Sequence, residues 1–195
     1  MEPREPRLFA EYEPGGRRAE PLDANSGLSV REAGPDDAVA LGRLSAERDG
    51  GDPAVCADRF TRALLATDAR RDWIWVAELW GEPIAFGKVH DFAPPAGAPP
   101  DAAPEGCYLA GVVVAPAFRR RGVGRLLTSE RLRWIAGRAP RAFYFASAMN
   151  RASIDLHAAF GFSEVTRTFW YPGATFTGGV GILFRRDMGT SERPI

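Results

Sequence analysis

Two glycines within a run of arginines, Arg119-Arg120-Arg121-Gly122-Val123-Gly124-Arg125, follow the apolar run Val112-Val113-Val114 after a short loop. A strand that leads through such a loop into a helix leaves unpaired backbone N–H groups, and the positive end of the helix dipole, at the turn. Anions bind there. Glycines remove Cβ atoms so that phosphate oxygens can reach the amides, and the arginines add charge. The chemistry predicted is the holding of a phosphate or diphosphate. A P-loop would need Lys-Ser/Thr after its last glycine, where this chain has Arg125-Leu126. A dinucleotide fingerprint would need a third glycine and an acid about 20 residues on. A glycine turn with a basic surface is the plain alternative, and the valine strand before it and the segment described next count against that.

The second segment is Asn150-Arg151-Ala152-Ser153-Ile154-Asp155-Leu156-His157-Ala158-Ala159-Phe160-Gly161-Phe162. Asn150 is placed to cap a short helix that Gly161 ends. His157 carries an imidazole that titrates near neutrality and can exchange a proton, with Ser153 one turn earlier on the same helix face.

Arg119-x-x-Gly122-x-Gly124 after a buried strand resembles the acyl-CoA-binding motif of the GNAT superfamily of N-acetyltransferases. Residues 150–162 resemble that family's Asn-x-x-Ala/Ser-x-x-Leu-Tyr-x-x-x-Gly-Phe segment. Both stand in register, covering roughly residues 107–162. The resemblance implies acetyl-CoA as cofactor and transfer of its acetyl group to a primary amine of a small molecule or peptide. It also implies a strand that splays from its parallel neighbour and pairs its backbone, at Val112 and Val114 around Val113, with the pantetheine arm. The amides from Arg119 through Arg120, Arg121, Gly122, Val123 and Gly124 to Arg125 would cradle the diphosphate, the arginine side chains mattering less. Asn150, Ser153 and His157 would flank the pantetheine.

His157 departs from the commonest pattern, which has a tyrosine that protonates the leaving thiolate. Two readings stay open: a proton donor, or a helix histidine without a chemical role. The general base is harder to place. Tyr108 stands where some relatives carry a catalytic glutamate, and Glu105 is the best of the nearby acids, ahead of Asp91 and Asp101. Glu130, amid an apolar helix face, predicts an ion pair with an arginine.

The elements around these residues read as follows. Strands are predicted over 28–32, 73–79, 83–92, 107–115, 142–146, 162–171 and 179–186, and helices over 36–48, 55–67, 122–138 and 151–160. The run over 107–115 suits a strand buried on both faces. The fold class is a mixed α/β (α+β) sheet of about six to seven strands, mostly antiparallel, with helices on both faces and a splayed parallel pair. An irregular tail over 1–27, an acetyltransferase domain over 28–188 and a C-terminal tail over 189–195 complete the division. The proline- and glycine-rich loop over 93–106, with Phe169, Trp170, Tyr171 and Phe176, is expected to shape the acceptor pocket.

Lys+Arg and Asp+Glu are balanced at 25 each, so net charge gives no reason to expect nucleic acid or an anionic membrane as partner. A nucleic-acid binder using Arg119, Arg120, Arg121, Arg125, Arg131 and Arg133 is the weaker rival. A non-catalytic acyl-CoA-sensing module on the same fold is the stronger one. Cys56 and Cys107 have no metal-ligand spacing and read as reduced, partly buried thiols. No metal is expected. With no apolar run of signal-peptide or membrane-spanning character, the expected compartment is the cytoplasm. A homodimer through the terminal strands is common in similar proteins and stands as an expectation.

Overall fold

The computed structural model describes residues 20–22, 24–66, 71–176 and 178–189. The expected tails over 1–27 and 189–195 lie largely outside the described residues. Seven strands, β1 (Leu28–Glu32), β2 (Asp72–Leu79), β3 (Glu82–Phe92), β4 (Gly106–Val114), β5 (Arg141–Ser147), β6 (Ser163–Thr166) and β7 (Gly181–Asp187), form one sheet. Its order is β1-β2-β3-β4-β5-β7-β6. Every pairing is antiparallel except β4 with β5, which is parallel. The helices are α1 (Ala38–Asp49), α2 (Pro53–Leu65), α3 (Val123–Ala136) and α4 (Arg151–Ala158).

Alternation along the strands sends side chains to two faces. Leu109, Tyr144 and Phe184 pack against Val123, Leu127 and Ile135 of α3. On the other face Ile74, Val76, Phe86 and Val113 pack against Leu41 and Leu44 of α1 and Phe60 of α2. Helices therefore cover both faces, as the sequence predicts. At the β4–β5–β7 end of that second face Tyr108, Phe143 and Leu183 gather Phe145, Phe169 and Tyr171 into an aromatic cluster. No helix of the described residues is long and apolar enough to cross a membrane.

Two boundaries and one burial pattern differ from the sequence reading for local reasons. Helix α2 starts at Pro53, two residues early, because Asp52 caps it by accepting from the Ala54 N–H at 2.7 Å and proline is tolerated in the first turn. Strand β6 stops at Thr166 instead of running to Tyr171. Beyond it the chain leaves the sheet and exchanges hydrogen bonds with the 93–106 loop, Trp170 N–H to Asp101 and Ala103 N–H to the Trp170 carbonyl, both 2.8 Å. Strand β4 is buried on both faces only over Cys107–Leu109; Gly111 is exposed, and Val112 and Val114 are half-buried.

Candidate functional site

The two parallel strands are joined over two residue pairs only, Cys107 with Ala142 and Tyr108 with Phe143. Each is held by its outer neighbour, β4 by β3 as far as Val114 and β5 by β7 along its whole length. The strands therefore diverge beyond Tyr108 and leave a gap, closed at that end and open toward the C-terminal ends of both strands. The β4 edge from Leu109 to Val114 faces this gap without a strand partner, and backbone groups in a partly buried edge need hydrogen-bond partners from elsewhere. A register shift on β3 between Gly87 and Lys88 bulges the β3–β4 pair, with Gly111 of β4 at a φ of 54°.

The open end of the gap meets the arginine–glycine turn. After a 3-10 turn over Pro116–Phe118, Arg120 (φ 63°) and Gly122 (φ 89°) take left-handed conformations that curl the chain into the start of α3. In α3's first turn the Val123 and Gly124 N–H groups point back along the helix axis without intrahelical acceptors, whereas the Arg125 N–H donates to the Gly122 carbonyl at 3.0 Å. Arg119 Nε–H donates to the Val114 carbonyl at 3.0 Å, tying the turn to the end of β4. On the outside, Leu22 N–H donates to the Arg121 carbonyl at 2.9 Å and Arg121 Nε–H to the Glu20 carbonyl at 3.1 Å. Arg125 lies over the Phe160 ring, 5.3 Å from its centroid. A Cβ on Gly124 would lie 3.6 Å from Val112 Cγ1 and 3.7 Å from Leu156 Cδ2. Anything larger than alanine there would fill the space between α3, β4 and α4.

Helix α4 crosses the α3 side of the gap. Asn150 caps it by accepting from the Ser153 N–H at 3.1 Å. His157 is 4% exposed, stacked on Tyr144 with ring centroids 4.0 Å apart and edge-on to Phe162. Its Nδ1 lies 2.8 Å from the Ser153 carbonyl and 3.4 Å from that residue's hydroxyl. A carbonyl can only accept, so Nδ1 carries the proton and Nε2 presents a lone pair. Burial pushes the imidazole pKa down to about 4, so the ring is neutral at physiological pH. Nε2 and the Tyr144 hydroxyl are buried without a hydrogen-bond partner among the described residues. In place of a proton-donating ring, the resting geometry presents an acceptor.

The remaining catalytic candidates stand apart from the open gap. Tyr108 is 1% exposed and its hydroxyl donates to the Pro104 carbonyl at 2.6 Å. Burial holds its pKa well above the usual phenol value. Glu105 is exposed in the loop before β4, beyond the closed end, and Asp91, exposed on β3, pairs with Cys107 at the same end. Glu130 makes the expected ion pair, accepting from Arg133 at 2.6 Å.

Sequence reasoning missed the most deeply buried charged side chain among the described residues. Arg131, which the nucleic-acid reading placed on the surface, is 0% exposed. Its spacing with Val123, Leu127 and Ile135, four residues apart on α3's inward face, was the available signal. Its guanidinium donates to the carbonyls of Leu127 (3.1 Å) and Lys88 (3.0 Å) and to the Thr128 hydroxyl (3.2 Å), beneath the bulge. No carboxylate among the described residues pairs with it, and burial alone pushes its pKa down to about 9.

The unpartnered β4 edge, the two left-handed residues and the cradle at Gly124 fit a thread-like ligand that ends in a diphosphate, which is the shape of coenzyme A. The model of the Acetyltransferase (GNAT) family matches residues 43–162. No curated protein matches the sequence. In fold the chain is similar to the ribosomal-protein-S18-alanine N-acetyltransferase of Escherichia coli at 18% identity, over 86% of this chain and 98% of that one, with a TM-score of 0.61. It is similar to yncA of Salmonella typhimurium, solved with its cofactor acetyl-CoA, at 17% identity over 87% and 98% of the two chains (TM-score 0.60). It is likewise similar to the ribosomal-protein-alanine N-acetyltransferase of Brucella melitensis, at 21% identity over 82% and 99% (TM-score 0.59). With a family match over more than half its length, the chain belongs to the GNAT family of acetyltransferases.

Proposed function

We propose that the chain is an acetyl-CoA-dependent N-acetyltransferase, acting in the cytoplasm, whose acceptor is a primary amine of a small molecule or peptide. The observation that carries this reading is the parallel pair joined at two rungs only, opening onto the first turn of α3. Acetyl-CoA supplies a thioester, an acyl group already activated toward an amine. The backbone of Val112 and Val114 along the open edge holds the pantetheine. Within the turn from Arg119 to Arg125 the amides that the chain leaves without an acceptor, Val123 and Gly124 among them, hold the diphosphate. Ser153 and Asn150 stand at the start of α4, on the far side of the gap from β4. A backbone N–H of β4 polarises the thioester carbonyl as an oxyanion-type donor.

The neutral amine would attack the thioester carbonyl directly, with no covalent enzyme intermediate. As the C–N bond forms the C–S bond breaks, and coenzyme A leaves as its thiolate and takes its proton from water. The rate comes mainly from proximity and orientation in the ternary complex. Glu105 and Asp91 lie at the closed end of the gap and Tyr108 commits its proton to Pro104, so the amine gives its proton to water. His157, buried and neutral with Nε2 unprotonated, is not the proton donor in this reading. Calorimetric titration with acetyl-CoA, followed by an amine panel with detection of released thiol, tests the reading. Micromolar binding with turnover of an amine supports it. Binding without turnover of any amine would move the chain to the sensor class, and no binding by folded protein would sink both.

A further inference from the structure

Lys88 is the only lysine in a chain whose Lys+Arg total is 25. A bias toward arginine puts lysine where the compact ammonium serves and the planar fork does not. Lys88 stands on β3 just past the position opposite the β4 bulge and shares Phe86's face, toward α1 and α2. Its Nζ lies 4.7 Å from the centroid of the Phe60 ring. Among the described residues its ammonium has no hydrogen bond and no ion pair. Burial depresses its pKa, the charges of Arg48 and Arg59 add to the depression, and Asp72 and Asp49 oppose it. Those two acids are engaged elsewhere, Asp49 by Arg48 with two 2.6 Å bonds and Asp72 by His90 at 2.9 Å.

The ammonium borders a cavity of about 100 Å³ lined by Ser45, Cys56, Arg59, Phe60 and Lys88. Arg59 donates to the Cys56 sulfur at 3.3 Å and has no carboxylate partner among the described residues. Two cations and a hydroxyl thus converge on a space with room for one small oxyanion and no acid in its wall. The cavity adjoins the reacting strand. Ala110 stands opposite Lys88 in the β3–β4 register, and Arg48 Nη1 lies 3.6 Å from where a Cβ on Gly111 would stand.

We propose that this cavity between α1, α2 and β3 is an anion subsite for the acceptor, in which Lys88 and Arg59 hold the carboxylate of an amino acid or similar carboxylate-bearing amine beside the bulge of β4. The acceptor role rests on the acetyl-transfer reading above; the anion site does not. A carboxylate fixed there orients the amine of the same molecule toward the strand, and an amine of similar shape without the anion loses that anchor.

A sole lysine allows a direct test. Protein grown with 13C-lysine gives one Cε resonance, and the expected result is a saturable shift of it on titration with acetate and with free amino acids, absent with the matching amino amides. Arg59→Gln should weaken that response about tenfold. In the thiol-release assay acids should exceed their amides by about tenfold or more in kcat/KM, and Lys88→Met should bring the two to near parity with acetyl-CoA affinity unchanged. A Cε signal that acetate leaves unmoved, or moves without saturation, overturns the anion site. Equal turnover of acids and amides overturns the acceptor role. Saturable acetate binding in a protein that does not bind acetyl-CoA leaves the anion site standing and ends both the acceptor role and the acetyl-transfer reading.

Discussion

The guanidinium carbon of Arg131 lies 2.9 Å from the position that a Cβ on Gly87 would occupy. A helix side chain thus fills the space that a missing side chain leaves in the sheet, and does so at the bulge of the β3–β4 pair. Gly87→Ala forces the two together, and overpacking of this kind costs about 1–3 kcal/mol. With Arg131→Leu the obstruction is gone, so the double variant should show a coupling of about 1 kcal/mol or more relative to the sum of the singles. Urea denaturation of the four proteins measures it. A coupling near zero would mean that the guanidinium moves aside at no cost and that the close approach does not define the bulge.

The diphosphate turn gives the sharpest binding prediction. Valine at Gly122 would carry a β-branched side chain at a φ of 89°, which only glycine adopts readily. Valine at Gly124 would fill the space between Val112 and Leu156. The double variant Gly122→Val, Gly124→Val should lose acetyl-CoA binding by calorimetry. The single variant Gly124→Ala, whose Cβ makes ordinary contacts, should keep binding within about tenfold. Equal loss in both would point to misfolding of α3, which circular dichroism distinguishes.

The succession of strands along the chain and the presence of the four helices were legible in the sequence because the periodic runs are long and punctuated by Gly and Pro. The order β1-β2-β3-β4-β5-β7-β6 within the sheet was not read from it. The turn at Arg119–Gly124 was legible because glycines at fixed spacing after an apolar strand mark a left-handed curl into a helix. The catalytic assignments were less so. Whether His157 meets solvent or stacks on Tyr144 depends on how α4 lies on β5, and sequence spacing carries no information about that packing. Lys88 illustrates the same limit, since its neighbours Ser45, Arg59 and Phe60 come from two helices brought to β3 by the fold alone.

Because burial holds the His157 pKa down to about 4, against an ordinary value of 6.5, the unfolded chain binds a proton there that the folded chain does not. Its contribution to stability is fully present above pH 6.5 and is lost as pH falls toward 4, with a slope of up to about 1.4 kcal/mol per pH unit. His157→Gln removes this linkage. The difference in urea unfolding free energy between wild type and variant should shrink from pH 7 to pH 4, by about 2–3 kcal/mol in all. A constant difference would show that the imidazole titrates normally and is open to water.

With the amine giving its proton to water, kcat/KM should rise with pH along the titration of the acceptor's own ammonium group, with no inflection from an enzyme group near pH 6–7. Two acceptors of different amine pKa should give profiles displaced by the difference. A plateau at the same pH for both would instead reveal an enzyme base, and the Glu105→Gln and Tyr108→Phe variants would then show whether either supplies it.

Asn150 separates a structural role from a binding one. Its side-chain oxygen accepts from the Ser153 N–H, so Asn150→Ala should cost about 1 kcal/mol of stability as a lost cap, whereas Asn150→Asp keeps the acceptor and the stability. The amide nitrogen is a donor that aspartate lacks. If it also meets the pantetheine, both variants should weaken acetyl-CoA binding by a similar factor, about tenfold, although only one is destabilised. Affinity that follows stability, falling in the alanine variant alone, would confine Asn150 to capping α4.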